Sequence, residues 1–258
     1  MVTPRPFFLN AGNEGPFTLD GTRTHLVGEE EVAIIDPGPD VDHHVRALVA
    51  SVEGARRTWV MVTHGHADHA GSATRLAGIL GTSVWGPAGV EAVDRPMRDG
   101  DAVVTDRGAL AALHTPGHTR DHLAFHWKEE RALFAGDLVL GRGDTTWVAE
   151  YPGCVADYLA SLEKLRGLDL RVIFPAHGPP LDEPEAALRR FEKHRRERIR
   201  QVETVLARDP GVDEAGLLHA VYGESLPAAM RKAALRSLWA LREYVETSDR
   251  RPEGGVLP

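Results

Sequence analysis

Thr63-His64-Gly65-His66-Ala67-Asp68-His69 places three histidines and a carboxylate between positions 64 and 69. The stretch follows the apolar run Trp59-Val60-Met61-Val62 and precedes a helix-like segment, Ala70 to Leu80. That order reads as a strand, a ligand-bearing turn and a helix. Imidazole and carboxylate together suit Zn, Fe or Mn, and imidazole favours the first two. A chance cluster of surface histidines is the plain alternative, and the rest of the chain decides against it.

Three later turns repeat the construction. Ala109 to His114 reads as a strand ending in Thr115-Pro116-Gly117-His118-Thr119. Ala132 to Ala135 leads into Gly136-Asp137, and Arg171 to Phe174 into Pro175-Ala176-His177-Gly178-Pro179. Each turn follows a short apolar strand and presents a metal ligand beside Gly or Pro. Strand ends are rigid, so such turns can converge at one edge of a sheet. The seven candidates are His64, His66, Asp68, His69, His118, Asp137 and His177. They are too many for one tetrahedral zinc and suit two ions sharing a carboxylate. His-x-His in an extended turn can place two imidazoles on one ion, leaving Asp68 and His69 to face the second. This differs from the helical His-Glu-x-x-His arrangement.

The opening is rich in Pro and Gly, with a hairpin expected from Thr24–Val27 and Glu31–Ile35. Asp36, before Pro37-Gly38, either makes an Asx-type turn or supports a ligand from behind. Asp42 to Val52 reads as an amphipathic helix with His43 and His44 solvated at its start. Ser83 to Trp85 suggests a strand, and residues 88 to 108 should cross between the halves of the sheet system. His122 to Trp127 is a further strand. His114 and His122 read as half-buried packing residues, and Asp121 could fix the tautomer of an imidazole ligand. The irregular segment Leu138 to Tyr151 offers Arg142, Thr145 and Trp147 for substrate contact. Beyond a helix at Val155–Leu165, the chain after Pro184 is nearly all helical.

At 258 residues the chain accommodates one large domain, or one domain with an appendage. A net charge of −8 disfavours general polyanion binding. The stretch Leu188 to Arg200 nevertheless carries a local +5. It either guides RNA phosphates or is the solvated face of a helix packed through Phe191 and Ile199, and the second reading is preferred. The single Cys154 excludes an intrachain disulfide and a Cys-rich zinc module, and reads as structural. No signal-peptide pattern and no run near the ~20 apolar residues of a membrane helix is found, so a cytoplasmic location is expected.

THGHADH, TPGHT, AGD and PAHG, in this order, resemble the metallo-beta-lactamase-fold hydrolases over roughly residues 10 to 180. The resemblance implies an α+β fold: an αββα sandwich over residues 1–182, then a small all-α, winged-helix-like appendage over 183–258. By position it assigns His64, His66 and His118 to one ion, and Asp68, His69 and His177 to a second. Asp137 bridges them. Two divalent ions are implied, zinc first, with Fe or Mn also fitting. They would share a hydroxide that acts as nucleophile near neutral pH, with Asp68 and Asp137 as the catalytic carboxylates.

Enzymes of this fold that hydrolyse β-lactams usually lack a match to His69 and carry cysteine where Asp137 stands. The large nucleases insert a domain between the bridging Asp and the last ligand. Neither pattern is present. GPFTLDGT, IIDPGP, the Gly141-Arg142-Gly143 turn and HRRERIR resemble a beta-lactamase-like subgroup with a helical C-terminal appendage, related to glyoxalase-II-like thioesterases. Residues 250–258 hardly provide the β-wing of a winged helix, so DNA binding is not expected. The expected substrate is a thioester or related small ester. A single-strand-specific endoribonuclease and a mononuclear iron persulfide dioxygenase are the alternatives. The C-terminal helices could wall the cleft or form a dimer contact.

Overall fold

The structure, a computed structural model, describes residues 6–224 and 226–248. The tail for which no β-wing was expected lies outside the described residues. Strands β1 (Phe7–Asn10), β2 (Arg23–Val27), β3 (Glu31–Ile35), β4 (Arg57–Met61), β5 (Val84–Pro87) and β6 (Arg95–Met97) form one sheet in chain order. The second sheet runs β11-β10-β9-β8-β7, from β7 (Ala102–Thr105), β8 (Gly108–His114), β9 (Leu123–Trp127), β10 (Ala132–Gly136) and β11 (Val172–Pro175). The expected hairpin is β2–β3, closed through Gly28 at φ 119°. Asp106, in the β7–β8 turn, accepts from the amides of Glu29, Glu30 and Glu31 at 3.0–3.3 Å and ties the hairpin tip to the second sheet. The expected crossing between sheets falls between Met97 and Ala102.

Alternation along the strands dictates the layers. Val32 and Ile34 turn outward to helices α1 (Asp42–Ser51) and α3 (Ala73–Leu80), where they meet Val45, Leu48 and Leu76. Ala33 and Ile35 turn inward, against Phe125, Phe134 and Phe174 of the second sheet. On the far face, Leu133 and Ile173 pack under α4 (Cys154–Arg166). The result is the expected αββα sandwich. Each large core side chain contributes about 1.5–3 kcal/mol through burial.

His44 corrects an expectation. Only its neighbour is solvated; His44 itself is buried and its Nε2 lies 2.9 Å from the Thr24 hydroxyl. Helix α1 turns this position toward the sheet, a fact that apolar periodicity does not signal for a polar residue.

The C-terminal region comprises α5 (Pro184–Arg208), α6 (Glu214–Tyr222) and α7 (Arg231–Ser248), with Pro184 at the first helical turn as expected. Phe191, Leu238 and Leu241 join Tyr158 and Leu162 of α4 in one continuous apolar cluster. No helix among the described residues is long and apolar enough to cross a membrane.

The His118 turn is wedged against α4. Gly117 has φ 138°, and a Cβ there would lie 2.6 Å from the Cα and Cβ of Tyr158. Gly117→Ala should cost about 1–3 kcal/mol. Thermal unfolding checks this, with Gly54→Ala, whose Cβ meets nothing within 4 Å, as the control for backbone strain alone. Equal melting temperatures for the two variants would remove the wedge.

Candidate metal centre

The parallel pairing of β3 with β4 sets Asp36, just past Ile35, beside Thr63, just past Met61 and Val62. Asp36, at φ 53°, accepts from the Thr63 amide at 2.7 Å and from its hydroxyl at 2.9–3.0 Å. Its Oδ2 also accepts from His69 Nδ1 at 3.0 Å. Asp36 is thus placed to support the candidate ligand His69 from behind, one of its two expected roles. His66 is extended and stands at the N-cap position of the short helix α2 (Ala67–Ala70), which brings the His69 ring to 4.1 Å from that of His64. The other ligand turns follow β8, β10 and β11, at the same end of the sandwich.

The partners of each imidazole fix its tautomer. The Thr63 hydroxyl gives its proton to Asp36, so at 2.9 Å it accepts from His64 Nδ1–H and leaves His64 Nε2 a bare lone pair. His118 Nδ1–H donates to the Trp147 carbonyl at 2.9 Å, and His66 Nε2–H to Glu150 Oε1 at 2.7 Å. Three lone pairs then converge, with His66 Nδ1 lying 3.0 Å from both His64 Nε2 and His118 Nε2. His69 Nδ1–H is taken by Asp36, and His177 Nδ1–H by the Gly21 carbonyl at 3.3 Å. This leaves His69 Nε2, His177 Nε2 and Asp137 Oδ1 buried without a hydrogen-bond partner.

Asp137 faces both groups. Its Oδ1 lies 3.3 Å from His177 Nε2 and 3.5 Å from His69 Nε2, while Oδ2 lies 3.7 Å from His118 Nε2. Asp68 Oδ2 lies 3.3 Å from His177 Nε2 and 3.6 Å from His69 Nε2. The sets His64/His66/His118, His64/His69/Asp137 and Asp68/His69/His177 could each hold a metal ion. Converging imidazole nitrogens, together with buried Nε2 and Oδ1 atoms that lack a hydrogen-bond partner, fit divalent cations. All seven ligand candidates from the sequence are therefore brought together.

Electrostatics agree. Burial pushes His69 down, but Asp137 and Asp36 outweigh it and hold the ring well above its ordinary value. Burial likewise opposes charge on His177, yet Asp137 and Asp68 raise it to about 9. Burial and the surrounding imidazoles push His64 well below its usual range. Asp137 stays well below the usual carboxylate range despite burial, because His69 and His177 lie against it. A cation entering here displaces protons from the second group.

The surroundings correct three expectations. His122 is fully buried, not half-buried. Its Nε2 accepts from the Asp137 amide at 3.3 Å and its Nδ1 meets the Thr115 hydroxyl, so it anchors the Asp137 turn. His114 is exposed, bonded to the Arg120 carbonyl. The tautomer of His118 is set by the Trp147 carbonyl and not by Asp121. Cys154 is buried, and burial pushes its thiol up, as suits a structural residue.

A cleft of about 660 Å³ opens above these ligands, floored by His66, Asp68, His118 and Asp137. Thr145 and Trp147 line it, while Arg142 is exposed and outside its lining. Sequence reasoning missed Glu150, Lys232 and Arg236, which also line it together with Arg198 of the basic stretch. Glu150 carries no local signal, and the cations reach the cleft only through the docking of α5 and α7. Most of the basic stretch is occupied elsewhere: Arg189 pairs with Glu185, Arg196 with Glu192, and Arg190 bonds the Gly143 carbonyl. Arg195 departs from the expected outward charge, being buried and bonded to the Thr146 carbonyl at 3.1 Å.

The family profile described as "Metallo-beta-lactamase superfamily" matches residues 18–177. The "Beta-lactamase-like protein 2 homolog" of Caenorhabditis elegans is 33% identical over 239 residues, covering 88% of this chain and 79% of that protein. An "Atrochrysone carboxyl ACP thioesterase" of Aspergillus fumigatus is 30% identical over 246 residues, covering 88% and 76%. A crystal structure of a beta-lactamase domain protein from Burkholderia ambifaria superposes with a TM-score of 0.81 at 22% identity, over 96% of this chain and 88% of that one, which shows the shared fold. The chain belongs to the metallo-beta-lactamase superfamily and is a hydrolase of it.

Metal analysis should find two divalent ions per chain; one iron per chain with oxygen uptake would overturn this. A second expectation concerns the metal-free protein. His177 is raised from 6.5 to about 9 by folding, so its stabilisation is complete below pH 6.5 and is lost as pH rises through about 9. The melting temperature of the metal-free protein should fall across that window, and a His177→Ala variant should fall less.

Proposed function

We propose that this hydrolase cleaves a thioester or related small ester at a site holding two divalent cations, zinc by preference. His64, His66 and His118 would hold one, and Asp68, His69 and His177 the other, with Asp137 between. When bound, such ions polarise a carbonyl and lower the pKa of a water toward ~7. The observation that carries the reading is the cleft: apolar walls from Phe17, Leu140, Trp147, Leu226 and Met230 descend to a floor of converging metal donors. Such walls suit an acyl chain and exclude water from the floor.

The chain's own groups then divide the work. Burial opposes ionisation of Asp68, but His177 and His69 outweigh it and hold its carboxyl below the usual range. It is 28% exposed at the floor, so as a carboxylate it can orient a water and take its proton. Thr145 and Trp147 are proposed to contact the substrate. Among the described residues no ion pair engages Lys232 or Arg236, and Arg198 is held by the Val221 carbonyl and the Tyr222 ring. These three cations on the cleft wall suit an anionic group on the thiol side of the substrate. The name of the Aspergillus fumigatus relative supports thioester chemistry.

The purified enzyme should hydrolyse S-lactoylglutathione or an acyl-CoA, and Asp137→Ala should lose at least about a hundredfold in kcat/KM. Lys232→Glu with Arg236→Glu should raise KM for the anionic thioester about fivefold with kcat unchanged. If the enzyme cleaves single-stranded RNA, Asp137→Ala does not, and both ignore thioesters, the thioesterase reading fails.

A further inference from the structure

The two donor groups are braced from different parts of the chain. His69 is held by Asp36, just after β3, and His177 by the Gly21 carbonyl, just before β2, both at the open end of the β2–β3 hairpin. His66 and His118 are held instead by one short loop segment, through the Glu150 carboxylate at 2.7 Å and the Trp147 carbonyl at 2.9 Å. That segment is fastened to the C-terminal helices. Buried Arg195 of α5 donates to the Thr146 carbonyl at 3.1 Å, and Arg190 to the Gly143 carbonyl at 2.9 Å. Glu243 of α7 accepts from the Gly153 amide at 3.1 Å.

Besides His66, the Glu150 carboxylate is engaged by the Trp147 side chain of the same loop. Its side chain is 34% exposed on the cleft wall, and a charge left half in water there is not retained for packing. Its contact with His66 has one clear consequence. While Nε2–H is held by the carboxylate, the proton stays off Nδ1, the nitrogen that faces His64 and His118. Without that acceptor the ring is free to turn, and to carry its proton on Nδ1.

We propose that Glu150 is a positioning residue that braces His66, and that the loop carrying it makes the His64/His66/His118 ion separately adjustable. The C-terminal helices thereby govern the affinity of that ion, whereas the Asp68/His69/His177 ion depends on Asp36 and Gly21. The inference rests on the two-ion reading above. It goes further in giving the His64/His66/His118 ion a support, the Glu150 loop, that the other ion does not share, while Asp36 reaches both sets through His69 and Thr63.

The test is an equilibrium titration of metal-free enzyme with Zn²⁺ or Co²⁺ against a chromophoric chelator. Wild type, Glu150→Ala and Glu150→Gln are compared, with melting temperatures of the metal-free proteins confirming the fold. Glu150→Ala should weaken one of two equivalents about 10–100-fold and leave the other within about twofold. Glu150→Gln should recover most of that loss, because its Oε1 still accepts from His66 Nε2–H. The Co²⁺ visible spectrum of the weakened equivalent alone should change. Equal weakening of both equivalents, or of neither, overturns the proposal. A wild type that binds one equivalent overturns the two-ion reading, and an affinity for that equivalent unmoved by Glu150→Ala overturns the bracing role as well.

Discussion

The Asp36 carboxylate is the constraint on which the site depends. It lies buried at the end of β3 and satisfies itself with three donors: the Thr63 amide, the Thr63 hydroxyl and His69 Nδ1–H. A buried carboxylate is costly unless it is hydrogen-bonded in this way. Satisfying it fixes three things together. It locks the turn after β4, it holds the tautomer of His69, and through the Thr63 hydroxyl it holds that of His64 as well. The parallel register of β3 and β4 brings the partners within reach, so the chemistry of the floor follows from sheet pairing.

The ligand turns were legible in the sequence because each one combines local signals: a short apolar strand, a Gly or Pro, and a residue type with metal affinity. Strand and helix order were legible for the same reason, since period-2 and period-3.6 patterns are local. Asp36 was only half legible, as its partner Thr63 lies on another strand. His44 and His122 were misjudged because a histidine inside an element reads the same whether it is solvated or fully enclosed. Glu150 was invisible. It sits in an irregular segment, and its role exists only once His66, far earlier in the chain, is folded against it.

The cleft is a joint product of two regions. The sandwich supplies its floor, and the C-terminal helices supply a wall bearing Lys232 and Arg236. Glu150 on the wall is bonded to His66 beside the floor, while among the described residues no carboxylate pairs with Arg198, Lys232 or Arg236 of α5 and α7. The cleft is thus graded in charge along its length, a gradient that suits the proposed substrate with one anionic end. Helix α5 contributes to the wall through His194 and Arg198 and holds the loop that carries Trp147 and Glu150 through Arg190 and the buried guanidinium of Arg195.

The apolar cluster that runs unbroken from the second sheet through Tyr158 and Leu162 into Phe191, Leu238 and Leu241 also orders events in time. During synthesis the chain emerges from its N-terminus, so every proposed metal ligand is made before residue 184 opens the first C-terminal helix. The apolar faces of α4 and the second sheet must therefore wait, uncovered, for partners not yet translated. Until those helices dock, the loop that braces His66 and His118 lacks its bonds to Arg190, Arg195 and Glu243. A nascent chain already carrying every proposed ligand therefore still lacks the wall and the loop fastening that α5 and α7 supply.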